Sequence, residues 1–140
     1  ALETSNVPMI WSHSGITDSQ YSWWRTGNLS RLLNIDYAKK IAQRGGAVGL
    51  WANSSSVGRD PEGYAKEILR MASKLGPEHV MFGTDMDGLQ THAALKRLLD
   101  LRKVTDLLRG LGTDDKIVRA ICFDNYARCL KSAMQARSAA

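Results

Sequence analysis

Cysteine, long apolar runs and blocks of like charge are all scarce in this chain of 140 residues, and each scarcity excludes something. The only two cysteines, Cys122 and Cys129, lie in one helix-like segment. At about 1.5 Å of rise per residue their Cα atoms stand roughly 10 Å apart, beyond the reach of a disulfide. Two free core thiols favour a reducing compartment such as the cytoplasm over an oxidising one, and leave the localisation otherwise open. No stretch approaches the ~20 consecutive apolar residues of a membrane span. The net charge of +5 is scattered over helix-like segments, so solvated helix faces account for it and no nucleic-acid partner is expected. The chain opens Ala1-Leu2-Glu3, with neither an initiator methionine nor the apolar core of a signal peptide, which reads as an interior start with targeting signals out of view. What remains is an ordinary globular composition, 44% hydrophobic and 24% charged, with enough chain for one domain.

Three apolar runs, Pro8 to His13, Ala47 to Ala52 and Val80 to Thr84, are too short and too continuously apolar for amphipathic helices. They suit parallel strands buried on both faces. Helical patterns separate them. Residues 37–44 run into Gly45 as a helix stop. Asp60-Pro61-Glu62 offers an N-cap with proline at the first helical position, predicting a helix to about Leu75 before Gly76-Pro77 ends it. Leu95 to Leu99 and Val104 to Leu111 are apolar at helix spacing, and Thr113 with Asp114 and Asp115 opens a last helix. Strand and helix in alternation predict an α/β fold of consecutive parallel βα units. Residues 133–140 carry no pattern and are expected to fray. Three parallel strands leave two open edges, so the expectation is part of a barrel, or a sheet that another chain completes.

The richest segment is Val80-Met81-Phe82-Gly83-Thr84-Asp85-Met86-Asp87-Gly88. An apolar strand here ends in two acids, at the carboxyl edge where α/β folds place their chemistry. His13 closes the first run, so His13 and Asp85 fall on one rim of a parallel sheet. The pair suits a divalent ion such as zinc, with Asp85 either ligating it or taking a proton from its water. The pair equally suits a hydrogen-bonded rim histidine and a helix-capping acid. Asp87-Gly88 reads as turn chemistry, Asp87 supporting Asp85 or capping the next segment. Arg25, behind Trp23-Trp24 in the loop after the first strand, has the fork that clamps a substrate carboxylate, or lies solvated. Asn53, with Ser54, Ser55 and Ser56, comes after the second strand and lines the cleft or forms an ordinary loop. His79 falls at the opposite end of the sheet and reads as structural, and His92 has no evident partner.

Taken in order, four blocks resemble successive motifs of the membrane (renal) dipeptidase family, peptidase family M19 of the amidohydrolase superfamily. They are Val7-Pro8-Met9-Ile10-Trp11-Ser12-His13-Ser14, Arg44-Gly45-Gly46-Ala47-Val48-Gly49, the Val80 to Gly88 segment, and Asp124-Asn125-Tyr126-Ala127-Arg128. The resemblance implies a (β/α)8 TIM-type barrel with a binuclear zinc site that hydrolyses dipeptides. Residues 1–132 would be its C-terminal part, about strands six to eight with their helices. It implies His13 and Asp85 at the metal, Asp85 as the catalytic acid, Arg25 on the dipeptide's carboxylate, and Asp87 with Gly88 in support. Asn53 is the second candidate substrate contact. The family's other ligands would lie upstream of Ala1, so the zinc set here is incomplete, and the implied partner is an upstream barrel segment or another chain. Trp51-Ala52 replaces the family's asparagine-aromatic pair, which widens the expected substrates from dipeptides to related small amides. Two other functions compete with this one. A haloacid-dehalogenase-type phosphatase would use Asp85 as nucleophile and Asp87 as acid/base, although that motif normally opens its domain. A non-catalytic barrel fragment would fold only with a partner segment.

Overall fold

The runs at 47–50 and 80–82 become strands whose residues are buried or half-buried, whereas the first run, expected to be buried on both faces, leaves Trp11, Ser12 and His13 exposed because among the described residues no strand covers its outer edge. The structure is a computed structural model that describes residues 4–18, 31–89 and 92–138. Strand β1 is Ile10–Ser14, and a two-residue parallel pair, β2 (Ile16–Thr17) and β3 (Leu33–Asn34), comes next. Helix α1 (Ile35–Gln43) leads to β4 (Ala47–Leu50), and α2 (Ser54–Val57) and α3 (Pro61–Leu75) lead to β5 (Val80–Phe82). Then come α4 (Met86–Leu89), α5 (Leu98–Gly110), α6 (Asp115–Arg119) and α7 (Asn125–Ser138). The main sheet is parallel, in the order β1-β4-β5. Among the described residues neither outer edge of that sheet carries another strand.

The two faces of the sheet bury different partners. Val48 pairs with Val80 and Leu50 with Phe82, and these four join a core with Tyr64, Ile68 and Met71 of α3 and Val104 and Leu108 of α5. Ala47 and Met81 pack instead with Cys129 and Ile10. The Tyr64 hydroxyl donates to the Leu50 carbonyl at 2.7 Å, so the buried phenol is satisfied, and burial pushes its pKa far above the usual range. Both cysteines are free, as their spacing predicts, and burial raises each thiol's pKa. No described helix is long and apolar enough to cross a membrane.

Capping obeys the expected chemistry at α3, where the Asp60 carboxylate accepts from the Gly63 N–H at 2.8 Å and Pro61 opens the helix. Beyond β5 the structure differs from the sequence pattern. The two apolar stretches 95–99 and 104–111 do not form separate helices. Asp100 accepts from the N–H groups of Lys96 and Arg97 at 3.0 and 3.1 Å, which starts a single helix, α5, at Leu98. After α6, a π-helical turn at Ala120–Asp124 passes without a break into α7. Residues 133–138, expected to fray, are therefore helical, and residues 133–136 of that stretch are exposed.

The wide turn delivers Asn125 and Arg128 to the amino ends of the strands. The Asn125 amide donates to the carbonyls of Pro77 at 2.8 Å and Val80 at 2.7 Å. The Arg128 guanidinium donates to the carbonyls of Gly45 and Glu78, and His79 Nδ1 lies 2.8 Å from the Gly46 carbonyl. The Asp124 to Arg128 block thus clamps β4 and β5 at the rim opposite His13 and Asp85. Asn125→Ala leaves two carbonyls without this donor and is expected to lower stability by about 2–3 kcal/mol in urea unfolding.

Candidate active site

Three steps along β1 match only two along β4, because Trp11 pairs with Val48 while Ser14 pairs with Leu50. The extra residue is a bulge at Ser12-His13, and a bulge re-aims the side chain it carries. The bulged Ser12 carbonyl passes so close over β4 and β5 that a Cβ at Gly49 or Gly83 would collide with it. His13 emerges exposed at the carboxyl rim. Its Nδ1 lies 2.8 Å from Ser12 Oγ, and Nε2 has no partner among the described residues. Ser14 is buried and ties in the next segment, accepting from the Leu33 N–H at 3.1 Å and donating to the Arg31 carbonyl at 3.0 Å.

Asp85 is the one described non-glycine residue with a left-handed backbone, at φ 51°. Such a conformation costs free energy in a residue bearing a Cβ and is concentrated at functional sites. Its Oδ2 accepts from the indole N–H of Trp51 at 3.0 Å. Trp51 is buried, its ring lies 6.5 Å from the His13 imidazole, and the Arg31 guanidinium sits 5.8 Å over the same ring. One indole therefore contacts both His13 and Asp85. The Ala52 N–H donates to the Thr84 carbonyl at 3.2 Å, which fastens the two strand ends together.

This chemistry sits at the carboxyl ends of parallel strands in a chain whose residues 1–140 match the profile of the membrane dipeptidase family (Peptidase family M19). The chain belongs to that family. Its structure is similar to the dipeptidase AC, a metallo peptidase of family M19, with a TM-score of 0.76 and 23% identity over 94% of this chain and 39% of that one. It is similar to a metallo peptidase from Rhodobacter sphaeroides, solved with a phosphinate mimic of the dipeptide L-Ala-D-Ala, with a TM-score of 0.76 and 22% identity over 94% and 38%. An amidohydrolase from Pseudomonas aeruginosa gives 0.73 and 17% over 94% and 47%. No curated protein matches the sequence. The chain spans less than half the length of each of these solved structures, and at these identities the likeness shows the fold: an α/β portion of an amidohydrolase-type structure.

The peptidase-family match gives no support to a phosphatase that uses Asp85 and Asp87. Asp87 is exposed in the first turn of α4, and the hydrogen bond that Asp85 Oδ2 accepts comes from Trp51. Gly88 leaves room for the Asp85 carboxylate: a Cβ there would collide first with Oδ1 and would fall 2.9 Å from both Cγ and Oδ2. Gly88→Ala is therefore expected to displace that carboxylate; if the chain acts as a hydrolase, kcat should fall by about 10²-fold in steady-state kinetics. Asn53 is buried, and its amide oxygen is occupied as the N-cap of α2, accepting from the Ser55 N–H at 3.0 Å and the Ser55 hydroxyl at 2.6 Å. Only its NH2 group is left for a ligand. Arg25, with Tyr21, Trp23 and Trp24, lies outside the described residues. Trp51 is the residue that sequence reasoning missed. Its signal was its place at the end of the middle strand run, between the runs that end in His13 and Asp85.

As zinc donors, His13 and Asp85 have the right chemistry, and among the described residues His13 Nε2 and Asp85 Oδ1 are both uncommitted. No group of three or more His, Cys, Asp or Glu that could hold a metal ion occurs among the described residues. The pair therefore fits as part of a centre and not as a whole one.

Proposed function

We propose that this chain supplies the sixth, seventh and eighth strands of a zinc-dependent dipeptidase barrel, as β1, β4 and β5, and hydrolyses dipeptides or related small amides with water as nucleophile. The observation that carries the proposal is the convergence of a bulge-presented histidine and a left-handed aspartate on Trp51, at the carboxyl rim of a parallel sheet. An upstream segment, or another chain, covers the open sheet edges and brings the remaining metal donors. His13 and Asp85 are then metal-site ligands. Zinc, where bound, supplies an acidified water and a polarised amide carbonyl.

The chain's own residues do the rest. Asp85 Oδ1 takes the proton of the attacking water and returns it to the leaving amine, while Oδ2 stays pinned by the Trp51 N–H. Arg25 grips the substrate's terminal carboxylate as a bidentate partner, and the Asn53 NH2 is a second donor for the substrate. Asp87 favours the amino end of α4, just beyond Asp85. The two free thiols suit a reducing compartment.

The test measures zinc content and dipeptide hydrolysis of the 140-residue chain, alone and combined with an upstream barrel segment. The expected result is stoichiometric zinc with hydrolysis in the combination, and neither in the chain alone. Full activity in the chain alone would overturn the shared site. Zinc-loaded combinations inert toward every dipeptide would overturn the substrate class, and Mg²⁺-dependent phosphatase activity would favour the phosphatase alternative.

A further inference from the structure

A pocket of about 300 Å³ opens at the same rim, lined by Ser54, Arg59, His92, Ala93 and Lys96. None of these is acidic. Its two walls come from the segment after β4 and the segment after α4, which are fastened to each other. Asn53 and Ala93 form an antiparallel bridge, and the Ala94 N–H donates to the Ala52 carbonyl at 2.8 Å. The Ala52 N–H in turn bonds the carbonyl of Thr84, the neighbour of Asp85. The pocket therefore lies one strand end away from the candidate site.

The acids closest in sequence to the pocket's cations are committed elsewhere. Asp60, beside Arg59, accepts from Gly63 as the cap of α3. Asp100, one turn beyond Lys96, accepts two backbone N–H groups and pairs with Lys103 at 3.1 Å. Among the described residues Arg59 and Lys96 form no ion pair, whereas Arg70, Arg109 and Arg119 each bind a carboxylate. Two unpaired cations and an imidazole around one pocket raise a local positive potential that an anion relieves. The donor set is a guanidinium fork, an ammonium, an imidazole and a hydroxyl. It matches a carboxylate, and the volume lies at the small end of ligand pockets.

We infer that this pocket is a carboxylate-binding subsite that takes an acidic side chain of a substrate whose amide lies at His13 and Asp85. It thereby favours acidic over neutral peptides. The substrate half rests on the proposed function, whereas carboxylate binding itself needs neither metal nor hydrolysis.

Titration of the metal-free chain with glutarate, Ala-Glu and Ala-Gln, monitored by amide ¹⁵N–¹H spectra, tests both halves. Glutarate and Ala-Glu are expected to shift the Ser54, Arg59 and Ala93 amides saturably, with Ala-Glu binding about tenfold tighter than Ala-Gln. Arg59→Ala and Lys96→Ala should each weaken glutarate about tenfold with the rest of the spectrum unchanged. Arg59→Lys, which keeps the charge and loses the fork, should fall between. No saturable shift with glutarate, or shifts indifferent to these variants, would overturn the pocket. Glutarate binding with equal affinity for Ala-Glu and Ala-Gln would overturn the side-chain assignment and mark a site for free dicarboxylates. Failure of dipeptide hydrolysis, by contrast, would count against the proposed function and leave the binding result standing.

Discussion

On the proposed function, replacing Asp85 by Asn is expected to remove dipeptide hydrolysis from the completed barrel while leaving the fold in place. The carboxylate is exposed, so its loss uncovers no core and should move the unfolding midpoint little. An asparagine oxygen can still accept the Trp51 N–H, which preserves the local geometry. What it cannot do is take a proton from water or lend a negative charge to a cation. The proton-transfer role alone is worth about 10²–10⁴-fold in rate. Steady-state kinetics on the completed barrel, with zinc content measured in parallel, separate the two losses. Activity within about threefold of the parent, far inside that range, would remove Asp85 from the proton path.

Trp51→Phe is the second large effect. Phenylalanine keeps an aromatic ring against His13 and under Arg31 but has no N–H, so Asp85 Oδ2 loses its 3.0 Å partner. With Asp85 a metal ligand as proposed, Trp51 orients it, and groups that orient a metal ligand typically control about 10–100-fold in metal affinity or activity, which is the loss expected here. Zinc affinity by competition with a chromophoric chelator checks it without relying on turnover. Because Trp51 acts through Asp85, adding Trp51→Phe to Asp85→Asn should cost little more, a non-additivity that separates positioning from general damage. Additive losses would mean that Trp51 only packs. Trp51→Ala is a poorer probe, since a cavity at a buried tryptophan costs about 3–5 kcal/mol by itself.

Much of this site was legible in the sequence. His13 and Asp85 each end a strand-like run, and in a parallel sheet chain direction alone puts such ends on one rim. Gly88 could be singled out from its motif, although its reason, the space it leaves for the Asp85 carboxylate, is a tertiary fact. Asp124 to Arg128 shows the opposite case. The block matched a family motif, yet its work is structural. Asn125 reaches carbonyls 48 and 45 residues earlier, contacts that no local pattern reveals. Apolar spacing at 95–99 and 104–111 did not say where the helix begins; the Asp100 carboxylate, accepting from the Lys96 and Arg97 N–H groups, starts α5 at Leu98.

By itself, then, the sequence determined the three main strands with the helices α1 and α3 between them, the cap at Asp60-Pro61, and that His13 and Asp85 reach one rim, but not the short elements β2, β3, α2 and α4. Periodicity, capping chemistry and chain direction are local properties and can be read locally. Tertiary structure alone decided that Trp51, 34 residues before Asp85, holds its carboxylate. It also decided that a bulge aims His13, that Asp85 is left-handed, and that Arg59, His92 and Lys96 share one pocket. Those outcomes depend on strand register and on which distant loops are fastened together, and register is settled only when the whole sheet packs.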